Sequence, residues 1–274
     1  AAIETRDPTA NRNILMAFNA QLLEIAQPQQ YFPIAKHFFN GDFTPKVPSL
    51  GLYWLEKASG VGDPNAQFEL AQFYHSGKMG YKKNPKARIE LEMLAAAGGS
   101  AKAMHNLGVG YLEGGRFNKN PDEGEKLLQM AAAHGYVRSA YILADAYLGE
   151  RGYGIEKNIK QGRKYALIAA RAGYSKAMIL YASYLLQAPD SGKTKDQVFY
   201  WLNKAVDAGD LDAKRFMDER GAELSAVYER TKKPLNAYEP QKKCPMVKRC
   251  TSYQTNRGVE TSKSCVAVPD YWNC

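Results

Sequence analysis

The sequence lacks long apolar runs, and it has no cysteine before residue 244. No window of its 274 residues approaches the about 18 consecutive apolar residues of a membrane-spanning helix, so no transmembrane segment is predicted. The first residues also lack the charged and apolar segments of a secretory signal, which is therefore absent or already removed. With 45% hydrophobic and 24% charged residues, the composition is typical of a globular protein and excludes disordered or collagen-like chains.

Negative charge is scarce near the C-terminus. The chain carries 37 Lys and Arg against 28 Asp and Glu, a formal net charge of +9, and residues 232–274 hold eight basic residues but only three acidic ones. A basic segment of this kind keeps a protein soluble or attracts an acidic partner. Because it has no recognisable DNA- or RNA-binding motif, we expect no nucleic acid among the partners.

Recognisable catalytic motifs are missing as well. The four histidines form neither an H-E-x-x-H motif nor an i, i+4 pair on a helix. The segment Gly192-Lys193-Thr194 resembles the end of a phosphate-binding loop, but Gln187 stands where the first glycine is required and no strand is predicted before it. We therefore predict no catalytic residue, no metal site and no cofactor.

The four cysteines lie within the last 31 residues, at Cys244, Cys250, Cys265 and Cys274. Their spacing lacks the close ligand pairs of a zinc site, so disulfide bonds are favoured over zinc. Cross-links suit a proline-containing segment that cannot build its own core, and they imply an oxidising compartment, so we expect a periplasmic or secreted protein. Three connectivities are open, and sequential pairing is favoured because each closed loop is short.

What the sequence has in abundance is repetition. Glycines recur every 36 to 38 residues, each with an alanine four positions earlier and a bulky residue eight positions earlier: Gly62, Gly99, Gly135, Gly173 and Gly209. Four positions after each glycine stands a small anchor residue: Ala66, Ala103, Ser139, Ala177 and Ala213. A period of this length indicates a solenoid of helix pairs.

Each period is interpreted as two antiparallel helices. In the first helix the anchor and positions +4, +5 and +8 share one face, which predicts that Leu107, Tyr111, Leu143 and Tyr147 are buried. A small residue at +5, such as Gly108, lets the neighbouring helix approach closely. The second helix is predicted to begin after a capping residue and to end at the repeat glycine. The capping residues are Asn84, Asn120, Asn158 and Thr194.

The repeats predict an all-α protein, a right-handed α/α superhelix with a cysteine-bonded irregular C-terminal tail. We divide it into an N-terminal capping helix (1–28), about five helix pairs (29–209), a C-terminal capping helix (210–232) and a basic disulfide-bonded tail (233–274). Caps are expected because each terminal repeat otherwise leaves an apolar face open.

The pattern resembles the Sel1-like repeat family, a relative of the tetratricopeptide repeat. The resemblance rests on segments such as 66–74 (AQFELAQFY) and 103–111 (AMHNLGVGY) and on endings such as 95–99 (AAAGG). It implies a scaffold that binds other proteins. Extracytoplasmic members of this family include immunity proteins that neutralise antibacterial type VI secretion effectors, among them phospholipase toxins.

On this resemblance we expect a non-catalytic protein-binding protein with an acidic protein partner, and an immunity protein is the specific hypothesis. A scaffold of an envelope or secretion system is one alternative. A β-lactamase-like cysteine-rich Sel1 protein is another, although such proteins carry cysteine pairs within each repeat and residues 1–243 contain no cysteine.

Two surfaces are candidate partner sites. Positions +2 and +6 of the first helices lie opposite the predicted core: Phe68, Gln72, His105, Val109, Tyr141, Asp145, Ile179 and Ser183. Many of them are apolar, so they either anchor a partner in a groove or are half-buried between repeats. The second surface is the basic tail, with Lys242, Lys243, Lys248 and Arg249.

Overall fold

The computed structural model describes residues 8–42, 45–149, 152–186, 192–219, 246–251 and 264–269. The helices up to residue 207 are α1 (Pro8–Ile25), α2 (Tyr31–Asn40), α3 (Pro48–Gly60), α4 (Pro64–Ser76), α5 (Pro85–Ala97), α6 (Ala101–Glu113), α7 (Pro121–Ala133), α8 (Val137–Leu148), α9 (Ile159–Arg171), α10 (Ser175–Leu186) and α11 (Gly192–Asp207). Residues 211–219 are also helical. From α2 to α11 the helices follow one another in five pairs, so the predicted all-α repeat fold is confirmed.

Asparagine side chains begin three of the second helices, as predicted. The Oδ1 atoms of Asn84, Asn120 and Asn158 accept hydrogen bonds from the backbone N–H three residues later, at 3.1, 3.2 and 3.0 Å. Each bond satisfies one of the N–H groups that the first turn of a helix leaves without a partner. The fourth prediction was wrong, because α11 begins at Gly192 and Thr194 therefore lies inside the helix, where it cannot cap it.

The close approach predicted at Gly108 is confirmed between α6 and α7. A Cβ added to Gly108 would lie 2.8 Å from Cγ of Leu128 and 3.0 Å from the carbonyl oxygen of Gly124. In return, a Cβ on Gly124 would lie 2.9 Å from the carbonyl oxygen of Gly108. The two helices therefore cross at a pair of glycines, and a methyl group on either one would push them apart.

The chain divides into two compact units between Ala103 and Met104. The core of the first unit consists of Ala35, Phe38, Trp54, Leu55, Ala58, Ala66 and Leu70. Helix α1 packs against this core through Leu15 and Leu22, and Asn19 Oδ1 accepts a 2.8 Å hydrogen bond from Nε1 of Trp54. The second unit is built around α8 to α11, where Leu143, Ala144, Ala169 and Ala182 are fully buried.

Of the four core residues predicted by name, Leu107, Leu143 and Tyr147 are buried, whereas Tyr111 is only half-buried. The loop after α6 accounts for the difference. Its Phe117 stacks on Tyr111 with the ring centroids 4.7 Å apart, so a loop residue rather than a helix covers that ring.

The sequence predicts an irregular tail, but residues 246–251 and 264–269 form strands. Strands β1 (Met246–Thr251) and β2 (Ser264–Pro269) pair in a two-stranded sheet. Both segments contain β-branched residues, which favour strands.

Among the described helices, none combines the length and the apolar character that a membrane-spanning segment requires.

Candidate functional site

The eight groove positions predicted on the first helices are all at least partly covered. Phe68 and Asp145 are buried, with exposed fractions of 9% and 3%, and the other six are half-buried. Their surroundings differ between the two units of the chain.

In the second unit, His105 is a packing residue. Its Nδ1 atom lies 2.9 Å from Oγ of Ser139, and its ring centroid lies 4.8 Å from that of Tyr136. Burial, together with the charge of the nearby Arg138 guanidinium, lowers the pKa of His105 to about 4. The imidazole is therefore neutral at physiological pH and contributes no charge to a binding surface.

The remaining apolar positions of this unit also pack within it. Tyr141 meets the ring of Tyr174 edge to face at a centroid distance of 5.2 Å. Val109 and Ile179 pack against the hydrophobic core of the unit. In the second unit, these positions therefore fit the interpretation that they are half-buried between repeats better than the interpretation that they form an open groove.

The first unit, by contrast, contains an open cavity of about 590 Å³ beside Phe68. Its side chains come mainly from the first helices α2 and α4 and from the start of α6. It is lined by Phe32, Lys36, Phe39, Asn40, Leu55, Asn65, Phe68, Glu69, Phe73 and Lys102. We call this set the phenylalanine groove.

Close packing and a helix cap position the rings of the groove. Phe39 lies against α3 at Gly51, where an added Cβ would come within 2.7 Å of the ring, and its centroid is 6.2 Å from that of Phe73. The Oδ1 atom of Asp63 accepts hydrogen bonds of 2.9 and 2.8 Å from the N–H groups of Asn65 and Ala66. This cap sets the start of α4 and thereby the direction in which Phe68 points.

Charged side chains surround the aromatic rings. Nζ of Lys36 lies 6.0 Å from the centroid of Phe32, and Nζ of Lys102 lies 5.8 Å from the centroid of Phe68. Lys102 also lies 3.7 Å from Oε1 of Glu69, and these two side chains are 55% and 42% exposed. The groove therefore combines apolar rings with two solvent-accessible ammonium groups and one carboxylate.

Sequence reasoning identified Phe68 but missed Phe32, Lys36, Phe39 and Phe73. The regular glycine column begins at Gly62, so α2 had no anchor from which to count. Phe73 lies at position +7 of α4, outside the positions +2 and +6 that were considered. Counting back one period of 36 residues from Phe68 and Gln72 would have given Phe32 and Lys36. The same step relates the buried Ala71 to the buried Ala35, which verifies the register.

The second predicted surface lies largely outside the described residues. Lys242, Lys243, Cys244 and Cys274 fall outside them. Lys248, Arg249 and Cys250 lie in β1 and Cys265 in β2, the neighbouring strand. The basic tail surface and the disulfide bonds therefore stay predictions.

In the part of the chain that is described, no group of three or more His, Cys, Asp or Glu could hold a metal ion.

Comparison with known proteins identifies the same repeats. The profile of the Sel1 repeat matches residues 34–63, 64–87, 101–136, 137–174 and 175–210. Chitin synthase regulatory factor 3 of Schizosaccharomyces pombe is 27% identical over 234 residues, which cover 82% of this chain and 25% of that protein. This chain thus spans a quarter of the length of that relative.

Several solved structures are similar to this chain. A Sel1 repeat protein from Oxalobacter formigenes has a TM-score of 0.62 at 24% identity, covering 79% of this chain and 84% of that one. The immunity protein Pa5087 from Pseudomonas aeruginosa has a TM-score of 0.45 at 18% identity, covering 69% of this chain and 72% of that one.

Proposed function

The chain belongs to the Sel1 repeat family, and on that premise we propose that it binds a partner protein in the phenylalanine groove and catalyses no reaction. The observation that carries this proposal is the arrangement of four phenylalanines around an open cavity of about 590 Å³. Aromatic side chains at the centre of an interface supply much of its binding energy, because their large apolar surface is fully removed from water.

A concave groove also receives a side chain of a partner protein better than a flat surface would. Phe32, Phe39 and Phe73 are half-buried, so each still presents apolar surface to an incoming side chain. The buried Leu55, which is 1% exposed, also lines the cavity. An apolar side chain of the partner inserted between these rings would lose its contact with water and gain dispersion contacts on several sides.

Site-specific cross-linking tests this proposal. A photoreactive amino acid is introduced at Asn65, an exposed groove position, or at Val61, which is 53% exposed and does not line the groove. We expect a partner protein to be cross-linked in the native host from Asn65 but not from Val61, and Phe68→Ala to abolish the cross-link. Equal yields from both positions, or a yield unaffected by Phe68→Ala, would contradict binding in the groove.

We further propose that the partner is a toxic effector of a type VI secretion system, of the phospholipase-like kind, and that this chain neutralises it outside the cytoplasm. Two features support the proposal. The exposed lysines of the groove and the basic residues of 232–274 suit an acidic partner. The clustering of all four cysteines in the last 31 residues suits an oxidising compartment.

Growth of bacteria that express the cross-linked partner in the periplasm tests this finer hypothesis. We expect growth to be inhibited by the partner alone and restored by periplasmic co-expression of this chain, but not of its Phe68→Ala variant. A partner that inhibits no growth would favour a scaffold of an envelope or secretion system. Turnover of a chromogenic β-lactam above a boiled control would favour the β-lactamase alternative.

A further inference from the structure

We infer that the segment bound in the phenylalanine groove is acidic, and that Glu69 competes with its carboxylate for Lys102. This inference rests on the proposed function, because it specifies the chemistry of what occupies the same groove. It rests on three charged side chains of the groove. Lys36 comes from α2, Glu69 from α4 and Lys102 from α6.

The ion pair between Lys102 and Glu69 is weak enough for a partner carboxylate to replace Glu69. The 3.7 Å separation between Nζ and Oε1 is longer than a charge-assisted hydrogen bond, which is typically about 2.7–2.9 Å. Both side chains are exposed to a large extent, at 55% and 42%. Exposed pairs of this kind contribute little to stability, so a carboxylate from a partner can replace Glu69 at a small cost.

Lys36 offers a second binding point for an acidic group. Its Nζ lies over Phe32, and within the described part of the chain it makes no ion pair. A carboxylate that reaches Lys36 therefore displaces no existing partner. Because the ring of Phe32 is close to this ammonium, an acidic residue bound there stands beside the apolar surface that receives a neighbouring side chain.

Lys102 also links charge recognition to the aromatic anchor. Phe68 is only 9% exposed while the ammonium of Lys102 lies 5.8 Å from its ring centroid. A partner carboxylate that draws Lys102 away from this position uncovers the ring for an apolar side chain. The occupant we infer is thus a segment with an apolar anchor residue flanked by Asp or Glu.

Charge distinguishes this occupant from two alternatives, which are residues 232–274 of the same chain and a second copy of the chain. Residues 232–274 contain eight basic residues and three acidic ones, so this segment cannot supply the dominant negative charge that the lysines favour. A second copy of the chain carries the same net charge of +9, which opposes self-association. An acidic segment of a different protein is complementary to the groove.

Peptide selection on the purified full chain tests the inference. A random peptide library displayed on phage is selected on the wild-type protein and on the Lys36→Glu/Lys102→Glu variant. We expect the wild type to enrich peptides with an apolar residue flanked by Asp or Glu, and the variant to enrich peptides flanked by Lys or Arg. Acidic flanks in both selections, or in neither, would overturn the inference.

Single substitutions then measure the competition with the best wild-type peptide by fluorescence anisotropy. We expect Lys102→Gln and Lys36→Gln each to weaken binding about fivefold and to reduce its salt dependence, and Glu69→Gln to strengthen binding about threefold. Lys57→Gln is the matched control, since Lys57 lies over Tyr31 and Tyr53 rather than in the groove, and we expect no change. Equal weakening by the control, or no gain from Glu69→Gln, would overturn the competition with Glu69.

Failure of the inference can be told apart from failure of the proposed function. Asn65→Trp adds bulk to the groove without charge at an exposed position, so it blocks the site without disturbing the core. Peptides that lose binding with Asn65→Trp but carry no acidic residue would overturn only the inference. Peptides that bind Asn65→Trp as well as the wild type would overturn binding in the groove itself.

Discussion

At the scale of single residues, the same repeat position serves two different purposes. Phe68 and His105 occupy equivalent places in consecutive repeats, yet Phe68 borders an open cavity while His105 is held between Ser139 and Tyr136. Position within the repeat therefore fixes which way a side chain points. What lies in front of it depends on the neighbouring side chains, here a lysine in one case and a tyrosine with a serine in the other.

The half-buried His105 predicts that the protein loses stability in mild acid. Its pKa is lowered to about 4 in the folded chain, so between about pH 6.5 and 4 the unfolded state binds a proton that the folded state does not. The free energy of unfolding therefore falls as pH drops through this range and is fully retained above it. We expect His105 to account for a loss of at most about 2 kcal/mol between pH 7 and pH 5.

Urea unfolding at the two pH values, for the wild type and for His105→Gln, measures this contribution. The glutamine keeps a polar group near Ser139 but does not titrate. Burial also lowers the pKa of His134, which contributes in the same direction in both proteins and cancels from the comparison. If both proteins lose the same free energy on acidification, His105 does not titrate as described.

At the scale of elements, the helix pairs depend on where side chains are small. The crossing of α6 and α7 at Gly108 and Gly124 leaves no room for a methyl group on either helix. At α9 the same geometry recurs, because a Cβ on Gly162 would lie 2.9 Å from Cγ of Leu148 in the preceding helix. The stability gained from close helix contact at these points outweighs the stability lost through the low helix propensity of glycine.

Substituting Gly124 tests this close packing. We expect Gly124→Ala to lower the free energy of unfolding by about 1–3 kcal/mol, because the added Cβ overpacks the crossing with Leu112 and Gly108. Gly60→Ala is the control, as Gly60 is helical, exposed and has nothing within 4 Å of an added Cβ, so helix propensity alone predicts no loss. Chemical denaturation of both variants measures the difference, and equal effects would refute the crossing as the cause.

The helix starts support a second prediction at this scale. Asn158 Oδ1 accepts a 3.0 Å hydrogen bond from the N–H of Gln161, and no proline follows it to fix the first turn of α9. We expect Asn158→Ala to cost about 1 kcal/mol of stability, whereas Asn158→Asp, which keeps the acceptor, costs much less. Thermal unfolding of the two variants distinguishes them, and equal loss in both would argue against the cap.

How far the sequence predicts this structure also depends on the elements concerned. Periodic small and bulky residues predicted the helix pairs, and the asparagine starts followed from local hydrogen bonding, because both features are determined within one or two turns of helix. Tyr111 was misjudged because its cover comes from Phe117 in a loop whose course the period does not determine. The cavity beside Phe68 likewise depends on side chains of α2, which precedes the first glycine of the column.

At the scale of the whole molecule, the four cysteines predict how the C-terminal region is held. Cys250 and Cys265 lie in neighbouring strands, and with Cys244 and Cys274 they complete two disulfide bonds in our prediction. Intact mass measured without reductant should then be about 4 Da below the fully reduced mass, because two disulfide bonds remove four hydrogens. Four free thiols with one bound zinc ion would contradict both the disulfides and the oxidising compartment.

Binding through the phenylalanine groove is the central claim at this scale, and the dissociation rate of the protein cross-linked from Asn65 tests it most directly. We predict that Phe68→Ala speeds dissociation by about thirtyfold, equivalent to about 2 kcal/mol, with little dependence on salt, because a desolvated aromatic anchor is lost. Neutralising Lys242, Lys243, Lys248 and Arg249 should instead mainly slow association. An unchanged dissociation rate for Phe68→Ala, in a variant that circular dichroism shows to be folded, would contradict the account.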